Sequence, residues 1–212
     1  MALGLTLAAC ATTSKPMQGV SPPPPPPPDR TASVLPDWRG LILPEDRDRY
    51  QRREAAWTLA LEQARTLQGS GDLKALGKLI DPAASLPNPS IPVGDYRCRT
   101  IKLGSQIGLD LGYVVYGWFN CRVTQTDAGV RLVKLTGSQR VEGLFYPEND
   151  RHMILLGAMA LSSEVAAPAY GQRTDRSVAA ILERIDERQW RLVTPWPHAE
   201  SYLDILELVP AR

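Results

Sequence analysis

Between residues 44 and 67 the apolar positions recur at helical spacing. Tyr50, Trp57, Ala60, Leu61, Ala64 and Leu67 form one stripe, with charged residues on the other faces. Pro44, followed by Glu45 and Asp46, marks the start. Proline is tolerated in a first turn, and acids favour the positive end of the helix dipole. Glu45 with Arg49, and Asp48 with Arg52, lie four apart in the orientation that supports a helix. Gly69-Ser70-Gly71 ends this element. Asp72 then caps a short second helix carrying Leu73, Leu76 and Ile80, which Asp81-Pro82 stops. Pro87, Pro89 and Pro92 mark an extended connection.

After Gly94 the period changes. Short β-rich runs occupy 95–103, 113–126, 130–146, 152–161, 177–185, 189–194 and 203–209, divided by turn residues. Runs at this spacing predict an antiparallel meander, either a small closed barrel or a strongly curved sheet. The fold class is α+β and β-dominated: an N-terminal helical hairpin, about 44–80, packs on one face of the sheet or plugs one end. A lipocalin-like or avidin-like cup matches that architecture by analogy alone. No repeat at solenoid or propeller periods is present.

A strand register can be proposed. With Cys98 opposite Cys121 on antiparallel strands, Tyr96 faces Val123 and Thr100 faces Phe119. Val115, Phe119, Cys121 and Val123 then share one core face. A three-residue loop, Asp127-Ala128-Gly129, closes the next hairpin and brings Leu135 opposite Cys121 and Val133 opposite Val123. Cys98 and Cys121 are predicted to form a disulfide; two buried free thiols are the alternative.

The N-terminus changes the setting. Leu7-Ala8-Ala9-Cys10 resembles the lipobox of bacterial lipoproteins, where the Cys is acylated and becomes the mature N-terminus. Residues 1–10 are therefore read as a lipoprotein signal peptide, and Cys10 as the lipidation site. No Lys or Arg precedes Cys10, so this reading expects a start upstream of Met1; an accidental Cys in a short apolar N-terminus is the alternative. Residues 11–37 form a Pro-rich linker with an unbroken run from Pro22 to Pro28. Such a run favours stiff polyproline II, a spacer between anchor and body. Residues 38–212 remain as a single folded domain of about 175 residues, enough for one core. The expected location is the periplasmic face of the outer membrane, because Ala11 after the Cys is not the Asp that marks inner-membrane retention. An oxidising periplasm suits a cysteine pair.

The net charge of +1 offers no argument for nucleic acid. Two His, with no Cys-x-x-Cys and no His-x-x-x-His, give no zinc pattern, and no cofactor is expected. Two groups carry candidate chemistry. The proposed register sets Arg97 opposite Arg122, with Arg99 and Lys134 nearby. Such a patch would bind an anion, a lipid phosphate or a glycan carboxylate, unless acids such as Glu54 or Glu142 neutralise it. The second group is the loop Trp196-Pro197-His198-Ala199-Glu200-Ser201. There His198 and Glu200 would share acid–base work in a cleft, beside Ser201, or else form a solvated corner. No Gly-x-Ser-x-Gly accompanies them.

Four segments carry a family resemblance: Gly94 to Gly104, Tyr116-Gly117-Trp118-Phe119 with Cys121-Arg122, Lys134 to Arg140, and Leu203 to Leu208. Together they resemble an uncharacterised proteobacterial family, domain of unknown function 4893, over about residues 40–210. The resemblance implies an envelope setting in Gram-negative cells and brings no activity, cofactor or catalytic residue. The expected function is a lipid-anchored, non-catalytic envelope protein that binds a small amphiphile, a glycan or an envelope partner. An envelope hydrolase using His198 and Glu200 is one alternative, and a module docking an anionic surface through the basic face is another. The first predicts a concave, partly apolar pocket in the barrel mouth with converging polar groups.

Overall fold

The computed structural model describes Met1, residues 35–108 and residues 111–211. The lipobox, Cys10 and the linker up to residue 34 lie outside the described residues.

The helical stretch forms as α1 (Trp38–Leu41), α2 (Pro44–Gln51) and α3 (Arg53–Thr66). Pro44 opens α2 as the sequence predicts. The single helix expected over 44–67 is divided at Arg52, whose φ of -89° and ψ of 15° leave the helical well. The predicted second helix is a 3-10 segment, Lys74–Ile80, interrupted at Gly77, where φ is 47°. Asp72 still caps it, accepting from the backbone N–H groups of Lys74 and Ala75 at 3.0 and 3.1 Å.

The strands are β1 (Gln68–Ser70), β2 (Gly94–Leu103), β3 (Leu111–Val115), β4 (Phe119–Thr126), β5 (Gly129–Lys134), β6 (Gln139–Pro147), β7 (His152–Leu161), β8 (Ser177–Asp186), β9 (Gln189–Pro195) and β10 (Leu203–Pro210). From β2 the order runs β10, β9, β8, β7, β6, β5 and β4, and β4 returns to β2. The barrel is closed, with eight antiparallel strands. β3 pairs with the far half of β2, and the short β1 lies parallel to β3.

Strand parity sorts the side chains into two cores. Inside the barrel lie Tyr96, Cys98, Cys121, Leu132, Phe145, Leu155, Leu182, Leu192 and Leu208. On the outer wall Ile101, Ile154, Ile181, Leu203 and Ile205 meet Ala56, Ala60 and Ala64 of α3, together with Leu76 and Leu79. Three alanines spaced one turn apart let α3 lie close to the wall. The helices therefore cover a face of the barrel. A strand buried on both faces explains why 177–185 reads as an almost continuous apolar run.

The disulfide is present: Cys98 and Cys121 are bonded, with Cα atoms 5.9 Å apart. The predicted register around it is corrected. Cys98 pairs with Phe119, and Cys121 with Tyr96, so the bridge runs diagonally across one face. The predicted run 113–126 is two strands, because residues 116–118 interrupt it. The pairing sum with β2 changes by one across this break, which inverts parity: Val115 packs on the outer core, whereas Phe119 packs inside. The run 130–146 is also two strands, β5 and β6. The β4–β5 loop has two residues, Asp127 and Ala128, since Thr126 already pairs with Gly129. That one-residue difference from the expected loop sends Leu132 and Lys134 inward and leaves Leu135 exposed.

Candidate functional site

The two ends of the barrel differ in chemistry. At one end Tyr96 and Trp190 meet edge to face, ring centroids 6.2 Å apart, with Ile91 packed beside them. At the other end the inward positions carry Thr100 and Lys102 of β2, Lys134 of β5, Gln139 of β6, Thr194 of β9 and Asp204 of β10. These strands end together there because the meander is antiparallel.

Lys102 is buried, and its Nζ lies 3.1 Å from Asp204 and 3.1 Å from Glu200. Burial works against its charge, but the two carboxylates outweigh it and hold its pKa above the ordinary lysine value. Burial pushes the Asp204 carboxyl up, against the pull of Lys102 and of the Ser201 hydroxyl bonded to it. Lys134 differs. Its Nζ donates to the backbone oxygen of Gln139 at 2.8 Å and sits 4.1 Å from the Phe119 ring centre. Burial, then the neighbouring charges of Lys102 and Arg140, bring its pKa down to about 8.

A cavity of about 160 Å³ occupies the mouth. Met159, Leu161, Val178 and Trp196 give it apolar walls, while Lys102, Asp204, Arg49 and Arg176 reach its edges. The rim is fixed by α2. Asp46, 2% exposed, accepts from Arg49 at 2.9 Å and from the Tyr170 hydroxyl at 2.8 Å. The Arg49 guanidinium then lies 2.7 and 3.1 Å from the two ring nitrogens of His198. Burial, and next the Arg49 charge, lower the His198 pKa, so the neutral imidazole is favoured. A second cavity of about 220 Å³ lies beside the β3–β4 break, lined by Thr100, Lys102, Tyr116, Phe119, Lys134, Ser138, Gln139 and Glu200.

The residues expected to act together are dispersed. Arg97 pairs with Asn120, not with Arg122, so the expected confrontation of two arginines is absent. Arg122 is bonded to Asp95 at 2.6 Å, and Arg99 to Glu207. Arg97 and Arg99 lie over the Trp118 ring at 4.5 and 4.9 Å. Lys134 is on the opposite face of the sheet, inside the barrel. Acids do neutralise much of this face, but they are Asp95 and Glu207. His198 and Glu200 are drawn to different partners, Arg49 and Lys102, and no hydrogen bond or ion pair joins them among the described residues. Ser201 bonds Asp204, not His198. The shared acid–base pair expected in this loop is not assembled.

Sequence reasoning missed Lys102, Asp204, Asp46 and the pairing of Arg49 with His198. A usable signal existed for the first two: each is a charged residue in step with core positions of its own strand, Lys102 with Tyr96 and Cys98, and Asp204 with Leu206 and Leu208. It also missed a buried ion pair on the outer wall. Arg191 is fully buried and bonds Glu183 at 2.6 Å. Its Nη1 donates to the backbone oxygens of Lys78, Leu79 and Asp81 at 3.0, 3.0 and 2.7 Å. Glu183 also meets His152 Nε2 at 3.1 Å. Burial raises the Glu183 pKa, and His152 and Arg191 more than offset it, leaving it below the ordinary value. Arg191 thus clamps the end of the 3-10 segment onto the barrel.

The model of a family described as Domain of unknown function (DUF4893) matches residues 38–208. No curated protein and no solved structure matches the chain.

Proposed function

The chain belongs to that family of unknown function, and we propose that it is a lipid-anchored, non-catalytic protein of the Gram-negative envelope whose barrel mouth binds a small amphiphile. The carrying observation is the mouth cavity, with apolar walls and charged groups at its edges. That combination orients a molecule with an apolar part and a polar end. Ligand pockets for whole drug-sized molecules run from about 300 Å³ upward. A cavity of about 160 Å³ therefore takes a short-chain molecule, or one end of a longer lipid. The apolar walls favour an amphiphile over a bare glycan. The Cys98–Cys121 bond supports an oxidising compartment, and the lipobox at Leu7 to Cys10 supports a lipid anchor facing it.

Two measurements test the reading. Intact mass of the protein from native membranes should match cleavage before Cys10 plus acyl chains; an unmodified, uncleaved chain removes the anchor. For the cavity, methyl-labelled methionine gives internal probes, since Met159 lines the mouth and Met153 packs inside the barrel away from it. Titration with 1-hexanol or hexanoate should move the Met159 signal, leave Met153 in place, and lose its effect in Val178→Phe, which fills the cavity. No movement of Met159 with either probe refutes binding in the mouth.

A further inference from the structure

Lys102 and Lys134 both point into the polar end of the barrel, yet among the described residues only Lys102 meets a carboxylate. Lys102 has two carboxylates at 3.1 Å. Lys134, 5% exposed, has none within 4 Å among the described residues, where its partners are one backbone carbonyl and one aromatic face. An ammonium has three donors, and a buried charge without a counterion is costly. Lys134 also borders the cavity of about 220 Å³ beside the β3–β4 break, together with Thr100, Tyr116, Phe119, Ser138 and Gln139. Two local features make this space. The break at 116–118 shifts the register of β3 on β2 by one residue relative to that of β4 on β2, and the two-residue β4–β5 turn sends Lys134 inward.

We infer that this slot is a subsite for a carboxylate monoanion, which the Lys134 ammonium receives. The edge of the slot already holds a carboxylate. Glu200, 45% exposed and in the left-handed region at φ 72°, places its oxygen on Lys102. A ligand carboxylate would occupy the corresponding place on Lys134. Glu200 and Asp204 both border this end of the barrel, and their negative charge disfavours a dianion, so a carboxylate is preferred to a doubly charged phosphate. A small space of about 40 Å³ is lined by Lys134 and Gln139 of the slot and by Met159, Val178 and Asp204 of the mouth. The inference therefore rests on the amphiphile reading: the chain lies in the mouth and the acid on Lys134.

The experiment compares hexanoate with its uncharged counterpart 1-hexanol, read at the Met159 methyl. In the wild type at pH 7, hexanoate should bind about tenfold more tightly, the scale of one charge-assisted hydrogen bond. In Lys134→Met and Lys134→Gln the preference should vanish while hexanol binding stays, with an unmoved Met153 signal reporting a native barrel. The charges that act on Lys134 are those of Lys102 on β2, Arg140 on β6 and Asp204 on β10, with Glu200 at the rim. As the Lys134 ammonium loses its proton between pH 7 and pH 9, hexanoate affinity should fall about tenfold, and hexanol affinity should not. Equal binding of the two probes, a preference that survives in both variants, or phosphate competing as well as acetate would overturn the carboxylate subsite and leave the mouth reading standing. Failure of both probes to bind would overturn the two together.

Discussion

Replacing Cys98 and Cys121 together by alanine should lower the thermal midpoint by about 9 °C. The bond closes a separation of 23 residues. In the chain-entropy model, removing such a link costs about 3.4 kcal/mol at 25 °C. A domain of about 175 residues has an unfolding entropy near 0.37 kcal/mol/K, which converts that loss into about 9 °C. The measurement is thermal unfolding of the wild type and the double variant, followed by circular dichroism without reductant. Both cysteines are at most 1% exposed, so the bond opens to reductant only when the barrel does. Thiol reagent at 25 °C should leave the wild type oxidised, while heating in reductant should bring its midpoint down to that of the variant. A drop below 3 °C would refute the reasoning. It would mean that the unfolded chain gains little freedom when the link is cut.

Arg191→Met strands the Glu183 carboxylate and frees three backbone oxygens, and should destabilise the fold by about 3–5 kcal/mol in urea titrations. Adding Glu183→Gln to that variant should recover part of the loss, because the uncompensated charge goes with it. Gly157→Ala should cost several kcal/mol and yield little folded protein, since a Cβ there would meet the Gly143 Cα at 2.6 Å and the Glu142 carbonyl more closely still. For Lys134 the folded pKa, about 8, lies below its ordinary value of 10.5. Between those values the unfolded chain holds the extra proton, so stability rises with pH across that window. Lys134→Met should accordingly be more stable than the wild type below pH 8, and the gap should close towards pH 10.5; urea midpoints at four pH values check it.

Much of the fold is legible from residue order. The strand limits at 152–161 and 177–185 follow from apolar runs ended by turn residues, and Pro44-Glu45-Asp46 marks the start of α2 through dipole and proline chemistry. Local defects are what the pattern hides. Val115 and Phe119 are both apolar and four apart, so an unbroken strand would set them on one face. The break at Tyr116-Gly117-Trp118 puts them on opposite sides of the sheet, and nothing in their hydrophobicity records that. Asp127-Ala128-Gly129 fits both a two-residue and a three-residue loop. The choice between them decides whether Val133 or Lys134 enters the core.

That ambiguity decides the place of Lys134, while the β2–β4 register separates Arg97 from Arg122. With a three-residue loop the register sets Lys134 beside Arg97, Arg99 and Arg122 on the outer face; with the two-residue loop it points into the barrel, and the candidate site moves inside with it. The wall chemistry then leaves little choice of location. α3 and the 3-10 segment cover the outer surface near β2, β9 and β10, and Tyr96 with Trp190 packs at the far end. The mouth is where apolar walls and charged groups meet. Within it, Asp46, Asp204 and Glu200 each face a cation, whereas the buried Lys134 meets no carboxylate among the described residues. A protein gains no stability from burying such a charge. Its presence beside a cavity argues for a counterion supplied from outside the chain.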